Sequence, residues 1–516
     1  MRRQTQDVNR NLVLAAMCLA LATVVSTVSS LNVALPDIAR DLRATQTQLQ
    51  WIIDGYAVVF AGLLLLAGAL GDAVGRKHVL LGGLVVFSAG AGSALLVDTP
   101  GGLIASRAVM GLGAAAIMPA TLSIITNVFP AEERDRAVSV WAGVAGGSAL
   151  VGLLLSGLLL EFFSWDSIFV FTGLLGLVAL AASIRLAPNS TAEGARLDIT
   201  GGVISAGGLA TLVYAIIEGP ERGWTDSVTL GAFAIAVVLL TAFVVWELRR
   251  EQPLLDPRLF GLRGFGAGTV SIAVQFLAFF GFIFVILQYV QFVLGYSPLG
   301  AGVALAPMAV VVMGLSPRVP KLLERFGPAR IAPIGLLLMA VGFAVFATAD
   351  EDSTYWLLLA GLIPLGVGMA LATIPATTAI VSSLPPAKQG VASAVNDLAR
   401  EVGGALGIAV LGSALTGRYQ SGVADATAHL PAQFAGHAED ALPAALAIAD
   451  RLGPKGAALA ESAQAAFVDG LGLAMVIAAA SVAAAAIFVF WRAPREAVTT
   501  RRKGTVPRAA LEADSR

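Results

Sequence analysis

The chain has 516 residues, of which 57% are hydrophobic and 13% are charged, and its formal net charge is −1. Soluble globular domains usually contain about 25% charged residues, so this composition excludes an ordinary soluble domain and provides no overall field that would attract nucleic acid. Cys18 is the one cysteine, which excludes an intrachain disulfide and a cysteine-based metal site. We expect no metal and no cofactor.

Fourteen apolar stretches are each long enough to cross a bilayer, whose hydrocarbon core of about 30 Å requires about 20 residues of helix. Each stretch is predicted to be helical, because a peptide group facing lipid cannot be left without a hydrogen bond. The predicted spans are 11–36, 48–70, 78–97, 102–128, 136–160, 167–187, 199–217, 228–247, 265–292, 298–317, 330–349, 354–383, 389–415 and 467–491. The predicted fold class is an all-α polytopic membrane protein with fourteen transmembrane helices.

The distribution of lysine and arginine predicts the orientation of these spans. With the N-terminus inside, the inside segments contain 25 of the 33 Lys and Arg residues and the outside segments contain 6. Cytoplasmic loops of membrane proteins carry such an excess. We therefore expect a multi-pass protein of the cytoplasmic membrane with both termini in the cytoplasm.

A weak internal repeat indicates two halves. Asp72 precedes Gly75 by three residues after span two, and Glu324 precedes Gly327 by three residues after span ten. Related halves are common in transporters, whose substrate site lies between them near the midplane. The predicted division is an N-terminal six-helix bundle (1–187), an inserted helix pair with linkers (188–264), a C-terminal six-helix bundle (265–491) and a cytoplasmic tail (492–516).

The alanine-rich segment 416–466 is predicted to lie outside the membrane. Its mildly amphipathic pattern favours one or two short helices. A disordered spacer is the alternative.

Several motifs resemble the major facilitator superfamily, and in particular its fourteen-span drug:proton antiporter branch. The run from Gly68 to Lys77, GALGDAVGRK, is similar to the cytoplasmic loop motif of that family and lies between spans two and three, as it does there. The other similar segments are Asn32–Pro36, Trp51 with Asp54 and Tyr56, Arg107–Gly113, and Gln288–Pro307. The resemblance covers nearly the whole chain.

The resemblance implies a gate in the loop after span two. Asp72 would bind the N-terminus of span thirteen, where unpaired N–H groups attract a carboxylate, and Arg76 would pair with Asp135. The alternative is that Arg76 and Lys77 only orient the loop. The predicted gating residues are Gly68, Asp72, Gly75, Arg76, Lys77 and Asp135.

Charged residues inside the spans are candidates for proton coupling, because a charge within the bilayer is costly and usually serves a function. Asp54 and Arg107 each lie about 8–9 Å below the outer ends of spans two and four, so we expect them to pair directly or through water. A static pair that locks the helices is the alternative.

Span thirteen carries Asp397, Arg400 and Glu401 on one helix face. Glu401 lies about 18 Å along the helix from its cytoplasmic start, which makes it the second candidate for the proton site, with Arg400 tuning it. An Asp397–Arg400 pair at the membrane edge is the alternative.

Polar side chains on apolar spans are candidates for contact with the substrate. The candidates are Asn32, Tyr56, Gln275, Gln288 and Gln291. Each of the four amides has the alternative of a hydrogen bond to a neighbouring helix.

The sequence contains no recognisable catalytic constellation and no P-loop, so we expect neither an enzyme nor an ATP-driven pump. The predicted function is efflux of small amphipathic or hydrophobic compounds by alternating access, driven by protons and conferring antibiotic resistance, by a monomer surrounded by membrane lipids and without nucleic acid. Thr27 stands where many branch members have an acid, and Gly152-Leu153 where glycine–proline is usual. These departures favour the alternative of a lipid or hydrophobic-metabolite exporter that is not strictly proton-coupled. A non-transporting sensor or scaffold is the remote alternative.

Overall fold

The computed structural model describes residues 9–191, 198–251, 253–384, 389–428 and 430–492. These residues form seventeen α-helices, of which fourteen are 18 residues or longer. The long helices are α1 (Arg10–Asp41), α2 (Gln46–Val74), α3 (Arg76–Ala94), α4 (Pro100–Val128), α5 (Ala131–Phe162), α6 (Asp166–Leu186), α7 (Ile199–Arg222), α8 (Ser227–Arg249), α9 (Arg263–Gln288), α10 (Pro298–Leu315), α12 (Pro328–Phe346), α13 (Tyr355–Ser382), α14 (Gln389–Thr427) and α17 (Ala457–Arg492). The short helices are α11 (Val319–Phe326), α15 (Ala432–Asp440) and α16 (Leu442–Leu452).

The predicted fold class is confirmed, since each predicted span coincides with one of the fourteen long helices. Within the described residues, thirteen helical segments are long and apolar enough to cross a membrane. Helix α5 contributes a shorter apolar segment, Val151–Phe162.

Polar residues mark where several helices begin. Thr45 forms a capping box at the start of α2: its hydroxyl accepts from the backbone N–H of Gln48, and the Gln48 side chain accepts from the backbone N–H of Thr45. The hydroxyls of Thr99 and Ser297 cap α4 and α10 by accepting from the backbone N–H groups of Gly102 and Gly300, and each precedes a proline in the first turn. These caps satisfy N–H groups that have no partner within the helix.

Helix α14 runs twelve residues beyond the predicted end at 415, and α17 begins ten residues before the predicted start at 467. Most of the segment 416–466 is therefore helical, and the prediction of short helices is confirmed by α15 and α16. The extension is stabilised by packing: Leu415, Tyr419 and Val423, spaced four apart, are buried, and the Tyr419 hydroxyl donates to the carbonyl of Ala438 at 2.7 Å.

The long helices form two six-helix bundles and an inserted pair. Helices α1–α6 pack with one another, and α9, α10, α12, α13, α14 and α17 form the second bundle. The bundles meet where α2 contacts α14 and where α5 contacts α10. Inserted helix α7 packs against α8 and also against α2 and α14 of the two bundles. Helix α8 leaves Val237 and Val238 more than 60% exposed, as expected for a surface that faces lipid.

The internal repeat corresponds to two similar helix breaks. Gly75 (φ 122°) separates α2 from α3, and Gly327 (φ 78°) separates α11 from α12. A positive φ strains residues with a Cβ, so glycine at both positions permits the tight connection. Below, the end of the molecule at which α1 connects to α2 is called the Thr45 end, and the end at which α2 connects to α3 is called the Arg76 end.

Candidate functional site: a cavity between the two bundles

The guanidinium of Arg107 is fully buried between α4 and α2. Its Nε donates to the carbonyl of Ile52 at 3.0 Å, and its Cζ lies 4.4 Å from the centroid of the Tyr56 ring. Gly111 permits this contact, because a Cβ there would collide with the Tyr56 carbonyl. The Nη1 and Nη2 atoms of Arg107 have no hydrogen-bond partner among the described residues, which leaves donors available to a ligand.

A narrow cavity of about 10 Å³, which is about the space that one water molecule needs, lies between the bundles and contains this guanidinium in its wall. The lining residues are Val28, Ile53, Tyr56, Ala57 and Arg107 of the first bundle and Phe280, Glu401, Gly404, Ala405 and Ile408 of the second. The structure thus brings together three residues predicted from the sequence: Arg107, Tyr56 and Glu401. A cation, an aromatic ring and an acid are groups that can orient a small amphipathic molecule, but the bundles must move apart before such a molecule can enter this space.

Asp54 is fully buried, and neither of its carboxylate oxygens has a hydrogen-bond partner among the described residues. Val58 and Ala61, four and seven residues later, share its face of α2 and pack against Val213 and Ile217 of α7 and against α14. The preceding residue on that face, Gln50, also contacts α14. Asp54 therefore faces the junction of α2, α7 and α14.

The expected direct pair between Asp54 and Arg107 is not present in the structure. Among the ion pairs of the described residues, none joins them. The reason is helical phase: Tyr56, under the guanidinium, is two residues from Asp54, and this spacing places the two side chains on opposite sides of α2.

Arg400 stacks on Phe276, with its Cζ 5.0 Å from the ring centroid. No ion pair between Asp397 and Arg400 occurs in the described part of the chain, so the structure does not contain the membrane-edge pair that was the alternative to a proton site. Neighbouring Asn396 accepts a hydrogen bond from the hydroxyl of Thr377 at 3.1 Å. The contact with Phe276 attaches Arg400 to α9. Of the acids on α14, Glu401 is the one that lines the cavity.

The loop after α2 is held by contacts within the first bundle. Arg76 binds Asp72 at 2.8 Å, and the Lys77 Nζ donates to the carbonyl of Ile184 at 2.8 Å. A Cβ at Gly75 would collide with the side chain of Asn189, so this glycine lets the segment after α6 lie on the loop. At Gly68 a Cβ would meet Pro119 at an ordinary 3.6 Å.

The expected partners of this loop lie outside the described residues. The side chain of Asp135 and the residues directly before α14 are among those that the structure does not describe. The gate contacts Arg76–Asp135 and Asp72–α14 therefore remain predictions, and the observed partner of Asp72 is Arg76.

The four amides predicted to contact substrate make hydrogen bonds to helices instead, and none of them lines the cavity described above. Asn32 and Gln288 donate to carbonyls one turn earlier on their own helices. Gln275 donates to Ser271 and accepts from Thr373, which joins α9 to α13. Gln291 donates to the carbonyl of Val33 and thereby joins the two bundles.

The bundles are held together at the Thr45 end. In the described residues, three hydrogen bonds cross between them: Gln50 to Thr416 at 3.0 Å, Ser413 to Gln50 at 3.5 Å, and Gln291 to the Val33 carbonyl at 3.2 Å. All three lie toward this end. The conformation is therefore closed at the Thr45 end.

Sequence reasoning missed several residues of this region. Gln50, Thr416 and Phe280 carry no charge and belong to no motif. Gln50 and Thr416 offer the weak signal of a polar residue on an apolar helix, and Phe280 offers none. Glu218 on α7 is an acid near the end of an apolar span, which was a usable signal. It accepts a hydrogen bond from the Trp51 indole at 3.1 Å.

Comparison with known proteins agrees with this architecture. Two curated relatives span almost the whole chain: the tetracenomycin C resistance and export protein of Streptomyces glaucescens (33% identity, 89% of this chain and 87% of the relative), and the multidrug efflux pump LfrA of Mycolicibacterium smegmatis (34% identity, 92% and 95%).

Among solved structures, a bacterial homologue of the human lysosomal transporter Spinster, in an inward-facing and unoccupied conformation, has the same fold. It matches with a TM-score of 0.64 at 19% identity, over 94% of this chain and 97% of that chain. Residues 14–408 match the Major Facilitator Superfamily. The chain therefore belongs to the Major Facilitator Superfamily of membrane transporters.

Proposed function

We propose that this protein exports small amphipathic or hydrophobic drugs across the cytoplasmic membrane by alternating access, in exchange for protons. The observation that carries the proposal is the meeting of Arg107, Tyr56 and Glu401 in one cavity between the bundles. The printed names of the relatives, which describe drug resistance and export, support the cargo class.

The orientation is part of the proposal. The excess of Lys and Arg supports a cytoplasmic location of both termini and of the Arg76 end, so the Thr45 end is outside. The conformation described here, closed at the Thr45 end, is then the one that opens to the cytoplasm. We also propose that the division into 1–187, 188–264, 265–491 and 492–516 marks the units that move, and that a monomer is sufficient.

Coupling follows from competition at a buried carboxylate. A cationic drug is stabilised in an apolar cavity by the ionised form of Glu401, whereas a proton neutralises the same group. A drug cation and a proton cannot be bound together at the carboxylate of Glu401, so each displaces the other. Arg107, on the facing wall, disfavours a cation when Glu401 is protonated, which promotes release of the drug to the outside.

The test is transport of ethidium in proteoliposomes with and without an imposed proton gradient, with internal pH measured in parallel. Wild type should move ethidium only with the gradient and should show counterflow of protons. Glu401→Gln should lose the gradient-driven component, whereas Glu461→Gln, at an exposed site on α17, should retain it. Ethidium movement that is equally fast without a gradient would contradict proton coupling.

A second candidate is export of a lipid or another hydrophobic metabolite. It is favoured by an apolar groove of about 630 Å³ between α2, α7 and α8, lined by Trp51, Tyr214 and Ile235 among others. A fluorescent phospholipid that moves between leaflets in the same vesicles, while ethidium does not move, would support this candidate.

A further inference from the structure

The inserted helix α7 places an acid between α7 and α2, near the end of α2 that carries Asp54. Glu218 of α7 accepts a hydrogen bond from Nε1 of Trp51 at 3.1 Å. Trp51 is three residues before Asp54 on α2, which is about 4.5 Å along the helix toward the Thr45 end. The residue before Glu218, Ile217, is buried in the cluster of α7 and α2 side chains that covers the Asp54 face.

Glu218 differs from Asp54 in its access to solvent. Its side chain is 16% exposed, and its second oxygen is bound by Arg222 at 3.0 Å, whose side chain is 45% exposed. Asp54 is fully buried and has no partner. The α2–α7 seam thus contains one carboxylate near the surface and one in the interior, within about one helical turn of each other in depth.

We propose that Glu218 relays protons between the outer solution and Asp54, a role that rests on the proton coupling and orientation proposed above. In the uptake step the O–H bond of protonated Glu218 breaks, water between α2 and α7 carries the proton, and an O–H bond forms on Asp54. The negative charge moves from Asp54 to Glu218, where Arg222 balances it. The inserted helices α7 and α8 then line one side of the proton pathway.

The charged and titratable groups around Glu218 are consistent with a relay. On its own helix they are Tyr214, Glu221 and Arg222, and Asp226 before α8 interacts electrostatically with Arg222. From α2 the facing group is the Trp51 indole, and from α14 it is uncharged Ser413, which donates to the carbonyl of Ile216. Trp51, whose ring centroid lies 6.1 Å from that of Tyr214, lies between α2 and α7 beside Glu218.

Two substitutions distinguish a proton relay at Glu218 from a purely structural role of its hydrogen bond to Trp51. Glu218→Gln retains an oxygen that accepts from Trp51 but cannot carry a proton. Trp51→Phe removes the hydrogen bond but keeps the ring and the acid. Each is measured in proteoliposomes for gradient-driven ethidium efflux and for ethidium exchange at equal pH, which needs alternating access but no net proton movement.

If Glu218 is a relay, Glu218→Gln should slow gradient-driven efflux by about tenfold or more, while ethidium exchange stays within about twofold of wild type. Glu218→Asp should restore gradient-driven efflux, and Trp51→Phe should retain it. Driven efflux that is unchanged in Glu218→Gln, or efflux and exchange that fall together, would overturn the relay. Wild-type efflux that needs no gradient would instead reject the proposed coupling itself.

Discussion

Gln50 on α2 donates from Nε2 to the hydroxyl of Thr416 on α14 at 3.0 Å, and this bond joins the two bundles. Ser413, one turn before Thr416 on α14, shares its hydroxyl proton between the carbonyl of Ile216 at 2.7 Å and, more weakly, Oε1 of the same amide at 3.5 Å. Both partners are buried. One amide therefore connects two hydroxyls of the opposite bundle at the closed end.

Replacing Gln50 by leucine should increase the population that is open at the Thr45 end by about threefold, because a hydrogen bond between helices in a membrane contributes about 0.6 kcal/mol. The measurement is the distance distribution between spin labels at exposed Leu96 and Asp352. Gln464→Leu is the control, since Gln464 bonds to Phe292 within the second bundle. Equal distributions in Gln50→Leu and wild type would contradict a closing role.

Gly157→Val should weaken closure between α5 and α10. A Cβ at Gly157 would lie 2.9 Å from the Cα of Leu299, and such overpacking costs about 1–3 kcal/mol. Val33 is buried near the Thr45 end of α1. A cysteine placed there by Val33→Cys should react faster with a membrane-impermeant maleimide in the Gly157→Val protein than in the protein with Gly157. Gly143→Val, on the same helix with open space around it, should leave the reaction rate unchanged; an equal increase there would indicate a general loss of structure.

Arg107→Lys should lower the thermal unfolding midpoint in detergent. Lysine keeps the charge but loses the planar stack on Tyr56 and the Nε bond to Ile52, and a desolvated stack contributes about 2 kcal/mol. Tyr56→Phe keeps the ring, and the Tyr56 hydroxyl has no partner in the described structure, so this variant should unfold near the wild-type temperature. A midpoint for Arg107→Lys equal to wild type would exclude a stabilising stack.

Asp198 should make stability depend on pH. Burial raises the pKa of its carboxyl, but hydrogen bonds from the Gly201 N–H, the Trp246 indole and Arg250 outweigh burial and lower the pKa overall. A lowered folded-state pKa stabilises the protein above the unfolded-state pKa of about 3.9, and this stability is lost as the pH falls through the folded-state value.

Asp198→Asn should therefore be less stable than wild type at pH 7, and the difference should shrink as the pH falls below about 4. The measurement is the unfolding midpoint of both proteins across this range. The control is Asp256→Asn, since Asp256 caps the short turn that begins at Pro257. A difference that is constant with pH would show that the charge of Asp198 does not stabilise the fold.

The sequence predicted the helices well because hydropathy and helix caps depend only on neighbouring residues and on the surrounding lipid. A run of about 20 apolar residues has one stable conformation in lipid, and Thr45 or Ser297 can cap a helix without any distant partner. The boundaries that differ depend on distant contacts. Helix α14 continues to Thr427 because Tyr419 bonds to Ala438 on α15, which the sequence near 415 does not encode.

The candidate site was predicted in part. The cost of a charge in the bilayer identified Asp54, Arg107 and Glu401 as functional candidates, and the structure places the last two around one cavity. The supposed pairing of Asp54 with Arg107 was inferred from depth alone. Depth is given by counting residues, whereas the direction of a side chain relative to another helix is not.

The sequence by itself determined the number of spans, the helix ends with strong caps, and the acids and bases that the membrane makes costly. The tertiary structure alone decided that Asp54 faces the junction of α2, α7 and α14, that Arg107 stacks on Tyr56, and that Gln50 joins the bundles. The reason is that lipid and a neighbouring helix are both apolar surroundings. Hydropathy therefore identifies a membrane helix, but only packing decides which helix each of its faces contacts.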